Sequence, residues 1–212
     1  MEQKRMTRRL LFFSWVGLLG QITIMLYGFY RIVSFYDIFY LPVGLRYIIQ
    51  LTAALLPIVF WFGYGLTVSK DKLGVKIGAI ICGVFSCAKL VYEIISIWVF
   101  SFAPKLSSGP LFWSRFLTFS IEEWLILLLS LAGVLFIISF ATKGKSLIKA
   151  SAILYLFDLL FIILITVLFE QSSGNMRATY YGLRNCFHVL GVPFFIVLIA
   201  YQSKYARLSN QQ

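Results

Sequence analysis

Three ionisable side chains, Lys89, Glu93 and Asp158, stand inside long apolar stretches of a 212-residue chain. In lipid, a charge at a helix centre costs about 2.5–3.5 kcal/mol on insertion scales, so each needs a partner or a use. Polar residues accompany them at helical spacing. Cys82, Ser86, Lys89, Glu93 and Ser96 follow steps of four, three, four and three, which is one stripe of a helix. Ser151, Tyr155 and Asp158 share a second stripe, Ser14, Gly17 and Gln21 a third, and Arg184, His188 and Gly191 a fourth.

Two readings of these groups stand open. In one, Lys89 pairs with Glu93 or Asp158, the remaining acid is protonated or bonded to Gln21 or Tyr155, and the network fixes which helices adjoin. In the other, Lys89, Glu93, Asp158, Gln21, Ser86 and Tyr155 form a polar centre on a hydrated path for a small polar solute or ion. Arg184 and His188 would then form its outer entrance. A polar stripe could also face a membrane partner subunit or a second copy of the chain, where interhelical hydrogen bonds act as glue.

Other chemistries find little support. His188 is the one histidine, and Cys82, Cys87 and Cys186 lack the paired spacing of zinc or redox sites, so no metal and no cofactor is expected. Glu122–Glu123 is an acid pair, but at a helix start the dipole already favours negative charge. Nucleophile elbows, phosphate loops and Asp-rich diphosphate motifs are absent from the sequence. No catalytic residue is assigned, and the sequence points away from an enzyme.

The elements that must position these residues follow from composition. Sixty per cent of the residues are hydrophobic and 13% charged, against about 25% charged in soluble domains. Mean hydropathy is +0.89. With a net charge of +11, nucleic acid would be a natural partner for a soluble protein. Here the basic residues flank apolar runs, so the lipid bilayer is the expected partner and nucleic acid is not.

Six runs reach the roughly 20 residues that a spanning helix needs: about Leu10–Tyr30, Arg46–Leu66, Val75–Phe102, Ile121–Phe140, Leu147–Phe169 and Cys186–Tyr201. They are continuously apolar rather than alternating, which excludes a barrel. The expected fold is therefore all-α, a polytopic bundle of six transmembrane helices in one domain, without a soluble domain. The first run is too long for a cleaved signal peptide and lacks a small-residue cleavage site. The third is long enough to require tilt, a kink near Gly83 or an interfacial extension.

Basic residues orient the bundle. With the N-terminus inside, twelve fall in cytoplasmic segments (Lys4, Arg5, Arg8, Arg9, Lys70, Lys72, Lys76, Lys143, Lys145, Lys149, Lys204, Arg207). Six fall outside (Arg31, Arg46, Lys105, Arg115, Arg177, Arg184), and Lys89 alone is left deep inside the membrane. The positive-inside rule then puts both ends in the cytoplasm, and a bacterial plasma membrane is the expected location. In the outer loops, Tyr36, Phe39 and Tyr40 surround Asp37, and Tyr180 and Tyr181 follow a Gly/Ser-containing stretch. Residues 103–120, with Pro104, Pro110, Trp113, Phe116 and Phe119, read as an interfacial or re-entrant helix. Gly74 and Gly78 have the spacing of a helix-dimer motif.

Overall fold

The computed structural model describes the chain apart from residues 1, 36–37, 39, 70–71, 103–110, 142–145, 171–181 and 212. In the helices, the side chains of 2–4, 35, 96–102, 111–120, 122–123, 168–170, 205 and 207–211 are also outside the description. Asp37, Ser96, Pro104, Pro110, Trp113, Phe116, Phe119, Glu122, Glu123, Tyr180 and Tyr181 thus fall outside the described side chains. So do Tyr36, Phe39 and the basic side chains of Lys4, Lys70, Lys105, Arg115, Lys143, Lys145, Arg177 and Arg207.

The described residues form helices and no strand. Five long helices come first: α1 (Glu2–Phe35), α2 (Val43–Thr67), α3 (Leu73–Phe102), α4 (Leu111–Ala141) and α5 (Ser146–Glu170). The sixth span, Gly182–Lys204, joins a helical turn at 182–186 to a 3₁₀ turn, Phe187–Gly191, and then to α6, Val192–Gln211. Among the described residues, six helices are long and apolar enough to cross a membrane. Every long helix outruns its expected hydrophobic segment at one end or both, because polar flanks can extend a helix beyond the lipid.

The largest difference lies in α4. No separate interfacial or re-entrant helix exists over its described part. From Leu111, directly after Pro110, the chain is one helix through Ala141. Proline is favoured at a helix start, and no second breaker follows before the span. Likewise α3 is continuous through Gly83, which lies against the Phe62 ring.

The helices pack as a closed ring in chain order. Each of α1 to α4 packs on the next, and the 3₁₀ turn and α6 fit between α5 and α1. The ring explains the burial pattern. On α1, Phe12, Trp15, Leu19, Ile22, Leu26 and Phe29 form an exposed stripe, while Ser14, Gly17 and Gln21 on the other side are buried. On α4, Ile121, Trp124, Leu128, Leu131, Leu135 and Ile138 repeat the exposed pattern. A large apolar exterior around polar interior positions is the surface of a protein that lives in lipid.

Glycines set the closest helix approaches. A Cβ at Gly78 would sit 2.9 Å from Phe136 Cα, and one at Gly74 would meet Ser139 Oγ at 2.9 Å. The Gly74–Gly78 spacing is therefore used inside the chain, between α3 and α4, where small residues admit close backbones.

Candidate functional site

Pro193 shapes the sixth span. Its ring has no N–H and crowds the carbonyl four residues back, Val189, so a regular α-helix cannot run through this point. The chain tightens into the 3₁₀ turn instead, and Val192 N–H donates to Val189 O rather than one residue further back. His188 O is thereby left with room for another donor. Gln21 Nε2 takes it at 3.3 Å.

The same amide reaches two side chains. Gln21 Nε2 donates to Asp158 Oδ2 at 3.2 Å and lies 3.1 Å from His188 Nδ1. His188 Nδ1 is 3.4 Å from Asp158 Oδ2. A primary amide has two hydrogens for these three acceptor positions. The network closes when His188 Nδ1 itself carries a hydrogen and faces Asp158 Oδ2. Gln21 then serves Asp158 Oδ2 and His188 O, and His188 Nε2 is left as the ring's second polar position. This assignment follows from donor counting. Asp158 is fully buried, and its Oδ1 has no partner among the described residues.

Gly191 makes the cluster possible. A Cβ there would collide with Gln21 Nε2 and come within 3.0 Å of Asp158 Oδ2 and Tyr155 Cδ2. The side chains of α1 and α5 meet across the sixth span because this position has none.

A second polar group lies nearer the end remote from the termini. Gln50 Nε2 donates to Glu93 Oε2, joining α2 to α3. Lys89, one turn before Glu93, and the buried Arg184 line the space between the two groups. That space is a cavity of about 80 Å³, walled by Gln21, Ser86, Lys89, Arg184, Asn185 and His188 among others. A smaller one of about 20 Å³ shares Lys89, Arg184 and Asn185 with it and reaches Arg31, Gln50 and Glu93. Pro57 also stands on the wall. Lacking an N–H, it gives nothing to Ala53 O, and Ala53 lines both cavities.

Toward the termini the cavity ends in aromatic rings. Trp61 and Tyr155 form part of its wall. Behind them, Trp61 stacks edge-on to Phe136 at 4.9 Å, Phe136 on Phe140 at 5.7 Å, and Tyr155 on Phe194 at 5.3 Å. Phe60 and Phe195 complete the plug at 5.0 Å. Trp61–Phe136 and Phe60–Phe195 are edge-to-face, a geometry that adds about 0.5–1.5 kcal/mol per pair beyond burial, and the other two pairs are tilted.

Past the plug lies a third cavity of about 240 Å³, lined by Tyr64, Phe140, Leu198 and Gln202 with Met6, Thr7 and Lys72. The start of α1, the end of α2, the start of α3 and the end of α6 therefore meet at one end of the bundle. There the single hydrogen of Ser14 Oγ has two acceptors at 2.8 Å, Gln202 Oε1 and Leu10 O, and Gln202 Nε2 donates weakly to Tyr64 Oη at 3.4 Å.

Of the residues singled out by spacing, the structure brings Gln21, Tyr155, Asp158 and His188 together at one level, with Ser86 and Lys89 on the wall of the same cavity. Glu93 lies outside the larger cavity, on the smaller one, which Gln50, Lys89 and Arg184 also line. Arg184 is buried rather than at an open mouth, and His188 belongs with Asp158, a turn deeper than Arg184. Gln50, Asn185 and Gln202 were not legible as site residues. Gln50 and Gln202 are single amides without a polar stripe on their own helix, Asn185 falls one position off the Arg184–His188 stripe, and the role of each depends on a neighbour.

Among the described residues no three His, Cys, Asp or Glu side chains are grouped to hold a metal ion. No protein-family model, curated protein or solved structure matches this chain. What is established is a multi-pass membrane protein of six apolar helices.

Proposed function

We propose that this protein binds a small polar solute within the membrane and serves as a transport or solute-binding subunit. The observation that carries the reading is the 80 Å³ cavity inside the helix ring, walled by Gln21, Ser86, Lys89, Arg184, Asn185 and His188. At about 10–15 Å³ of such space per water, it has room for several waters or a few-atom solute. Polar groups in lipid are costly, and a bundle that needed them only for assembly would pair them without leaving this space. The smaller cavity continues toward the end remote from the termini, whereas the aromatic plug closes the other direction. In this reading both termini are cytoplasmic, the membrane is a plasma membrane, and solute enters from outside.

The test is binding to the purified protein in nanodiscs. A panel of small anionic, zwitterionic, cationic and neutral solutes at millimolar concentration is screened by thermal unfolding. At least one class should raise the midpoint in the native protein and fail to do so in Lys89→Met/Asp158→Asn. No shift from any class would refute the reading. Destabilisation by each single change with recovery in the double variant would show instead that the two charges serve assembly.

The second reading, a non-catalytic accessory, regulatory or immunity-type membrane protein whose polar stripes hold helices or a partner together, has one observation behind it: Gln21, Asp158 and His188 do join α1, α5 and the sixth span. Those contacts lie within one chain, so they support helix assembly more than a partner.

A further inference from the structure

The wall of the larger cavity has an uneven charge. Its charged side chains among the described residues are Lys89 and Arg184, with the titratable imidazole of His188 beside them. Neither nearby carboxylate lines this cavity. Asp158 is buried behind Gln21 and His188, and Glu93 lies on the adjoining smaller cavity together with Lys89, Arg184 and Arg31, where Gln50 donates to it. Three neutral polar groups on the wall can donate, Ser86, Ser130 and Asn185, whereas both hydrogens of Gln21 are already taken by Asp158 and His188 O.

Ser86 supplies an independent observation. Its side chain is 2% exposed, lines the cavity, and its Oγ has no hydrogen-bond partner among the described residues. A buried hydroxyl without a partner costs about 1–3 kcal/mol, which a bound acceptor would remove. Ser86 and Lys89 are three residues apart on α3, so hydroxyl and ammonium share one helix face. Arg184 and Asn185 approach the same space from the sixth span. The remaining wall is apolar: Pro57, Trp61, Leu129, Leu159 and Ile162.

We infer that the solute is a short-chain carboxylate. Its charged head lies among Ser86, Lys89, Arg184 and Asn185, and its hydrocarbon tail against Trp61 and Ile162. A carboxylate accepts from ammonium, guanidinium, amide and hydroxyl at once, and charge-assisted bonds are the strong ones. A tail of a few carbons matches the space beside them. The inference rests on the solute-binding reading and narrows it to one ligand class.

Three probes with the same four-carbon tail separate the possibilities: butyrate, butylamine and butanol. Each is titrated against the whole protein in nanodiscs of zwitterionic lipid, so that no anionic headgroup competes. Butyrate binds and stabilises the protein. Lys89→Met weakens it by about tenfold or more, the scale of one charged hydrogen bond, and Ser86→Ala by a smaller factor. Lys89→Arg, which keeps the charge, recovers most of the affinity and guards against a folding defect. Butylamine or butanol binding as well as butyrate would overturn the carboxylate assignment and leave solute binding intact. Binding by none of the three, with the solute panel also silent, would overturn both. Butyrate binding unchanged in Lys89→Met and Ser86→Ala would place the anion elsewhere and overturn this site.

Discussion

Replacing Gly191 with alanine sets local and tertiary effects against each other. The position is helical, in the 3₁₀ turn just before α6, so helix propensity alone favours the change by up to about 1 kcal/mol. The surroundings oppose it. The added methyl would collide with Gln21 Nε2 and crowd Asp158 Oδ2 and the Tyr155 ring, each about 3.0 Å away. Overpacking a tight site costs about 1–3 kcal/mol. Displacing Gln21 from Asp158 removes a hydrogen bond to a charged or acidic group, about 1.5–3 kcal/mol. With the propensity gain set against these two costs, the balance is a loss of about 1.5–5 kcal/mol. Gly44 on α2 is the control, because a Cβ there meets nothing within 4 Å, and alanine should leave stability level or higher. Both variants are unfolded by dodecyl sulfate titration in mixed micelles, followed by far-ultraviolet ellipticity. Gly191→Ala as stable as the native protein would refute the proposed Gln21–Asp158–His188 packing.

Three further perturbations probe other parts of the bundle. Gly78→Val drives a branched side chain into the Phe136 backbone and should destabilise the monomer by at least about 2 kcal/mol in the same titration, since α3 and α4 lose their close approach. Phe136→Ala removes the centre of the aromatic plug and should cost about 3–5 kcal/mol; a loss below 1 kcal/mol would show that the rings do not pack as one unit. Ser14→Ala leaves the buried Gln202 without its donor at a cost of about 1–3 kcal/mol, and adding Gln202→Leu should return most of it. Additive losses in that double variant would argue against a Ser14–Gln202 contact.

How much of this could be read from the sequence depends on the scale of the feature. The helices were legible because each carries its own two-sided pattern. On α1 the exposed Phe12-to-Phe29 stripe and the buried Ser14, Gly17 and Gln21 are both spelled out in the spacing. The polar stripes on α3 and α5 were legible for the same reason. The closed ring order was not, because nothing in one helix says which neighbour its polar face meets. Residues 103–120 read as a separate interfacial piece from Pro104, Pro110 and the aromatics Trp113, Phe116 and Phe119, yet 111–120 run straight into α4.

The site shows the same limit. Gln21 and Asp158 were each identified, but their meeting needs the notch at Gly191 and the His188 carbonyl, which the 3₁₀ turn before Pro193 leaves open to a further donor. His188 was placed at the entrance because spacing gives its face and not its depth relative to α5. Gln202 lay beyond the expected end of span six, where hydropathy falls. The helix nonetheless continues to Gln211 and brings Gln202 back to Ser14. Gln50 marked no stripe at all, and only Glu93 across the helix pair reveals its use.

The central claim is a wet cavity reached from the end remote from the termini and sealed from the other. Asn185 lines both upper cavities and reports on it directly. Asn185→Cys is placed in a background with Cys82, Cys87 and Cys186 changed to alanine, and the protein is reconstituted in vesicles of known sidedness. A small charged methanethiosulfonate reagent is then added to one face at a time. The account predicts modification from the face opposite the termini and none from the terminal face. Modification from the terminal face, or from neither, would contradict it.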